Sequence, residues 1–201
     1  MTQYEVVGIG NAVVDVISHA DDTFLAENGI EKGIMQLIER DRAEDLYAAM
    51  QDRVQTPGGS VANTVAGAGA LGLKTAFIGR VRDDELGQFY AKAMTDIGID
   101  FVNAPVTEGE NPTSRCMIFV TPDGERSLNT YLGISTGLTS ADVPQAVTEK
   151  AKLMFLEGYL FDHEAGKTAF REAARAATAG GGMAGIAISD PFCVERHRDD
   201  F

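Results

Sequence analysis

Short apolar runs bounded by glycine alternate with amphipathic stretches along most of the chain, which is the pattern of a parallel sheet covered by helices. Residues 4–10 are apolar and β-branched and predict a buried strand; a second strand-like run follows at 12–18. Residues 22–28 read as a short helix stopped by Gly29, 34–38 as a strand, and 41–50 as an amphipathic helix with Asp41 near its start. Pro57-Gly58-Gly59 reads as a turn, with Ser60 as the N-cap of a helix from Val61 to about Leu71. That helix consists of Ala, Gly, Val and Thr, so its neighbours can approach closely. Gly72 ends it, and 75–81 is a strand. Residues 84–98 place Leu86, Phe89, Tyr90, Ala93, Met94 and Ile97 at helical spacing before Gly98.

The texture changes from about 101 to 131. The runs 115–121 and 126–132 are strands joined by Pro122-Asp123-Gly124-Glu125, a hairpin signal. A hairpin interrupting an α/β chain is expected in a lid or edge sheet. The α/β pattern then resumes with a strand at 152–160, a helix at 164–180 and a strand at 184–189. No internal repeat is found. The sequence stops just as another helix begins after Asp190, so truncation of the sheet is expected, with an apolar face left uncovered.

Composition narrows the function classes. The chain has 201 residues, 30 acidic against 17 basic, for a formal charge of −13. A chain this negative, without a basic stripe, argues against nucleic-acid and anionic-lipid partners, but not against a small anion held by a few local donors. No apolar run approaches the roughly 18 residues of a membrane span, and the first ten residues lack the basic and apolar regions of a signal peptide. Cys116 and Cys193 stand alone, without metal-ligand spacing, and a reducing cytoplasm is the expected compartment.

Two phosphate-loop searches fail. Gly8-Ile9-Gly10 follows a strand as in a dinucleotide fingerprint, but Val13 stands where the third glycine belongs and no helix start follows, which disfavours a dinucleotide-dependent oxidoreductase. Gly67 to Gly72 has the gap of a P-loop, yet Leu73 intervenes before Lys74-Thr75, and the segment runs from helix to strand. Gly166-Lys167-Thr168 lies inside a helix and lacks the earlier glycine.

The positive signal is Gly58-Gly59-Ser60-Val61-Ala62-Asn63, followed by Gly69 and Gly72 and then by residues 79–87 after a strand. Glycines ahead of a helix start let backbone N–H groups approach a polar ligand, and Asn63 both donates and accepts. Together with Gly8-Ile9-Gly10-Asn11 and Asp15, this resembles the first signature of the ribokinase-like kinases, the phosphofructokinase-B superfamily. The resemblance covers nearly the whole chain. It implies a three-layer α/β sandwich with a central, mostly parallel sheet and a small β lid, whose strands would come from about 12–38 and 101–131. Within the family the match looks closest to the adenosine kinases. Asn11 and Asp15 stand four apart as in that branch, whereas ribokinases hold the pair closer together, and Ser60 stands where ribokinases commonly carry Lys.

By that resemblance the activity would be ATP-dependent phosphorylation of a primary hydroxyl on a ribosyl substrate, adenosine or a related nucleoside. Asn11, Asp15, Asn63 and the Gly58-Gly59 backbone would orient the sugar, with Ser60 beside them. Cys116 and Leu128 would line the nucleoside pocket, Tyr159 would stack on the base, and Arg126 would reach the transferred phosphate. A sugar kinase of the same family, or a non-catalytic sugar- or nucleoside-binding module, stands as the alternative reading. ATP and Mg²⁺ are the implied cofactors, and a monomer or a lid-mediated homodimer the implied assembly. The family's general base, an Asp in a Gly-Ala-Gly-Asp motif, has no counterpart in these 201 residues, nor does the Asn-x-x-Glu element tied to magnesium. The chain by itself is therefore expected to be inactive.

Overall fold

A computed structural model describes residues 4–201; the first three residues, part of the segment read as lacking a leader, lie outside that range. In chain order the elements are β1 (Tyr4–Ile9), β2 (Val13–His19), α1 (Asp22–Glu27), β3 (Met35–Leu37), α2 (Arg40–Ala49), β4 (Val54–Gly58), α3 (Ser60–Ala70), β5 (Thr75–Ile78), α4 (Glu85–Asp96) and β6 (Asp100–Phe101). There follow β7 (Ser114–Val120), β8 (Arg126–Tyr131), α5 (Gln145–Thr148), β9 (Ala151–Glu157), α6 (Glu164–Ala179), β10 (Met183–Ala187) and α7 (Pro191–His197). Short 3-10 turns occupy Gly133–Gly137, Ser140–Asp142 and Gly158–Asp162.

Five strands form one parallel sheet in the order β10-β9-β1-β5-β6. β1 lies at its centre and is apolar on both faces because both are covered. Val7 and Ile9 face a core shared with Met154 and with the Ala169, Phe170, Ala173 and Ala177 stripe of α6. On the opposite side, Val61 and Val65 of α3 pack with Phe77, Tyr90 and Met94. Gly8 of β1 leaves the room for this contact, because a side-chain carbon there would strike Val61 and Val65.

The second sheet has the order β3-β8-β7-β2-β4. Its period-2 alternation divides the strands cleanly. Val14 and Val16 of β2 and Met117 and Phe119 of β7 face the core shared with α3 and α4, while Val13, Cys116 and Ile118 form a separate group on the other face. Asp15 shares that second face. Register places it between Thr56 on β4 and Cys116 on β7, and Cys116 is in turn opposite Thr130 on β8. This is the α/β architecture expected of the fold class, with a parallel sheet and a second, mixed sheet that is equal to it in strand number among the described residues. No helix among the described residues is long and apolar enough to cross a membrane.

Local readings change at three places. Pro57 and Gly58 are not a free turn but the end of β4, paired with Val14 and Val13. Proline is tolerated there because β4 is an edge strand. Ser60 is not the N-cap of α3: Gly59 takes that position and Ser60 is the first helical residue, making no capping bond. The strand read to residue 160 stops at Glu157, and Tyr159 falls in the 3-10 turn that follows.

Phe77 is fully buried between the parallel sheet and α4, within ring contact of Tyr90 and Phe101. Phe77→Ala should lower unfolding stability by about 3–5 kcal/mol through lost burial and the cavity left behind, read from the urea midpoint at unchanged slope.

Candidate functional site

A cleft of about 400 Å³ opens between the two sheets, at the C-terminal ends of the parallel strands. Open α/β sheets bind ligands in this place, because helix N-termini and loop residues converge there. Asn11 follows β1, Glu157 ends β9 and Asp190 follows β10, and all three line the cleft. The second sheet contributes the other wall, with Val13, Asp15, Cys116, Leu128 and Thr130. Gly59, Ser60 and Asn63 come from the start of α3, and Tyr159 from the turn after β9.

Residues read from sequence as binding residues thus meet across large separations. Asn11 is buried and its side-chain Nδ2 donates to Glu157 Oε1 at 2.8 Å. Asp15 points its carboxyl into the cleft, where burial pushes its pKa up to about 6 and the more distant positive charge of Arg126 pulls weakly the other way. Gly58 lies directly behind Asp15: a side-chain carbon there would occupy the space of the Asp15 carboxyl. Gly58 also accepts a hydrogen bond from Tyr90 Oη at 3.1 Å. Gly59 adopts φ 105°, a conformation open to glycine, and a side chain there would strike the Asn11 carbonyl. Ser60 and Asn63 present exposed side chains at the first turn of α3, and the Asn63 amide N–H donates to Gly59 O at 2.9 Å.

Cys116 is buried on the cleft wall, with Sγ 3.1 Å from Thr130 Oγ1, and burial drives its thiol pKa up to about 12. A thiol so raised stays protonated and acts as wall rather than nucleophile. Leu128 is half-buried next to Ile118 and Met35. Tyr159 is held by two bonds, Oη donating to Asp190 Oδ2 at 2.9 Å and its backbone N–H donating to Ser189 Oγ at 3.1 Å. Arg126 is placed differently. It opens β8, is exposed and does not line the cleft, although it shares the sheet face of Leu128 and Thr130, and its positive charge opposes the rise in the Asp15 pKa.

Glu157 is the main residue that the sequence reading missed. It is 1% exposed, and its carboxylate accepts from the Asn11 backbone N–H at 3.2 Å, from Asn11 Nδ2 at 2.8 Å and from the Val61 N–H at 3.2 Å. Burial raises its pKa, and these donors oppose the rise. The only sequence signal was one acidic residue closing an otherwise apolar strand. Met35, Leu37, Leu132 and Phe192 add apolar wall, while Asp162 and Arg196 form an ion pair at one end of the cleft, with N–O distances of 3.0 Å. These lie far from the glycine motif in sequence and carried no pattern that tied them to it.

Comparison with known proteins places this geometry. Residues 31–194 match the family model described as pfkB family carbohydrate kinase. Over its full length the chain superposes on adenosine kinase from Sinorhizobium meliloti with 48% identity and a TM-score of 0.90, covering 61% of that structure. It is 30% identical to the 5-dehydro-2-deoxygluconokinase of Halalkalibacterium halodurans over 122 residues, 60% of this chain and 37% of the relative. It is 26% identical to the guanosine-inosine kinase of Escherichia coli K12 over 161 residues, 77% of this chain and again 37% of the relative. The chain therefore spans well under two thirds of the length of the proteins it resembles.

The raised pKa of Asp15 has a consequence for stability. A carboxyl whose folded pKa lies above its unfolded value of about 4 favours folding at low pH, and that contribution is lost as pH rises through 6. Above pH 6 the wild type therefore carries an unfavourable buried charge. Asp15→Asn should melt at higher temperature than wild type at pH 8, by the equivalent of about 1–2 kcal/mol, and the gap should narrow as pH falls through 6 and close only at about pH 4. Thermal melts across that range measure it.

Proposed function

The chain belongs to the pfkB family of carbohydrate kinases, and on that premise we propose that the whole protein transfers a phosphoryl group from ATP to the primary hydroxyl of a ribosyl substrate, with adenosine or a related nucleoside as acceptor. The observation that carries this reading is the two-sided lining of the cleft. One end offers Asn11, Asp15, Ser60 and Asn63, a set of donors and acceptors suited to a sugar diol. Val13, Met35, Leu37, Leu128, Leu132 and the Tyr159 ring add apolar wall, alongside the polar Asp190 and the Asp162–Arg196 pair. A free sugar would leave that apolar surface wet, whereas a nucleobase covers it.

In this reading Asp15 accepts from the vicinal hydroxyls as a carboxylate, and Asn11 and Asn63 fix the ring. The second sheet, acting as a lid, excludes water that would otherwise compete as phosphoryl acceptor. Positioning and charge stabilisation are the whole task in such a transfer. ATP and Mg²⁺ supply the phosphoryl group and neutralise its charge. The residues present here do not make up their site, since the described residues hold no cluster of three metal-ligating side chains and the chain has no Gly-Ala-Gly-Asp segment. The likeness to a 5-dehydro-2-deoxygluconokinase supports a second reading, in which the acceptor is a free sugar acid or sugar.

Isothermal titration of the 201-residue chain separates the two. Adenosine should bind and ribose should not, and Asp15→Asn should weaken adenosine by tenfold or more. Tighter binding of a free sugar than of any nucleoside would reject the nucleoside reading. Affinity should also fall as pH drops below about 6, because the protonated Asp15 gives up acceptor capacity.

With ATP and Mg²⁺ added, the same chain should form no detectable AMP from adenosine by chromatography. Turnover would mean that these residues hold a general base of their own.

A further inference from the structure

We infer that Ser135, in the 3-10 turn after the second sheet, is a positioning residue that sets which polar atom of Asn11 faces the cleft. The inference rests on the reading of the cleft as a sugar-hydroxyl site, and on a chain of buried hydrogen bonds outside the motifs. Ser135 is fully buried, and its Oγ lies 2.8 Å from Asn11 Oδ1 across 124 positions of sequence.

A serine hydroxyl has one proton, and two acceptors are in reach. Leu132 O is 2.7 Å from Ser135 Oγ, but it already accepts from the Ser135 backbone N–H and from the Ser114 hydroxyl. Asn11 Oδ1 has Ser135 as its donor. The proton therefore belongs on Asn11.

The other half of the amide is fixed from the opposite side. Glu157 Oε1 accepts from both the backbone N–H and Nδ2 of Asn11. Turning the amide over would set two acceptor oxygens 2.8 Å apart, so the network itself decides the orientation. With Oδ1 spent on Ser135 and one Nδ2 hydrogen spent on Glu157, the second Nδ2 hydrogen is the polar group Asn11 has left. Asn11 therefore meets the cleft as a donor, beside Asp15 as an acceptor. A sugar hydroxyl, which both donates and accepts, is complementary to that pair.

Ser135 also connects the site to the lid. Its turn begins where β8 leaves the second sheet, and Ile134 N–H donates to Pro112 O at 3.0 Å, just ahead of β7. The two strands that carry the lid wall thus leave and enter beside the residue that orients Asn11.

The test pairs a ligand measurement with one that needs no ligand. In Ser135→Ala the affinity for adenosine should fall about tenfold, and Asn11→Ala should cost at least as much. The double variant should bind no worse than Asn11→Ala alone, because Ser135 acts through Asn11. Losses that add, or an affinity unchanged in Ser135→Ala, would overturn the assignment. Independently, the side-chain amide of Asn11, observed by nitrogen-15 correlation spectroscopy and identified by its absence in Asn11→Ala, should show one strongly shifted hydrogen-bonded proton. In Ser135→Ala the pair should move toward the position of a free amide. A Ser135→Ala chain that melts lower but keeps the Asn11 amide unchanged would mark Ser135 as structural only. If wild type binds no nucleoside, the proposed function fails while the amide measurement still decides the role of Ser135.

Discussion

The buried carboxylate of Glu157 is the constraint on which the cleft depends. A carboxyl taken out of water is costly unless hydrogen-bond partners replace its hydration, and burial pushes the Glu157 pKa up. Here three N–H groups do so, two from Asn11 and one from Val61 at the start of α3. The positive end of a helix adds to them. The donors and their acceptor come from different parts of the fold: Asn11 follows β1, Val61 lies in the first turn of α3, and Glu157 ends β9. Satisfying one buried carboxyl therefore fixes three element ends to one another beside the cleft.

Asp15 is the opposite case in the same cavity. Burial raises its pKa, and the positive charge of Arg126 opposes the rise. Two carboxyls in one cavity thus have different surroundings, one tied into hydrogen bonds between elements and one aimed at open space. Gly58 belongs to the same arrangement, because only a residue without a side chain leaves room for that carboxyl.

The second sheet serves two surfaces at once. Its inward face shares the core with α3 and α4, and its outward face supplies apolar cleft wall. The position of that wall is therefore set by the same strands that build the core. The 3-10 turn carrying Ser135 follows the last strand of this sheet.

Much of this was legible in the linear sequence. Apolar runs of β1, β5 and β9, the helical spacing of α4 and α6, and the Pro122–Glu125 hairpin all depend on local periodicity and turn chemistry, which neighbouring residues carry themselves. Gly58-Gly59 through Asn63 marked the acceptor site for the same reason: glycine before a helix start is a local requirement of backbone approach. What the tertiary structure alone decided are the partnerships across the fold. Glu157 reads as an ordinary strand-end acid until β9 is laid beside β1, and Ser135 reads as a loop serine until its turn is brought against Asn11. Arg126 shares the cleft-facing side of its sheet with Leu128 and Thr130 but lies further along the strand than the residues that line the cleft. Hydrogen bonds between residues more than a hundred positions apart leave no periodicity to read, because their geometry exists only once the sheet has been ordered.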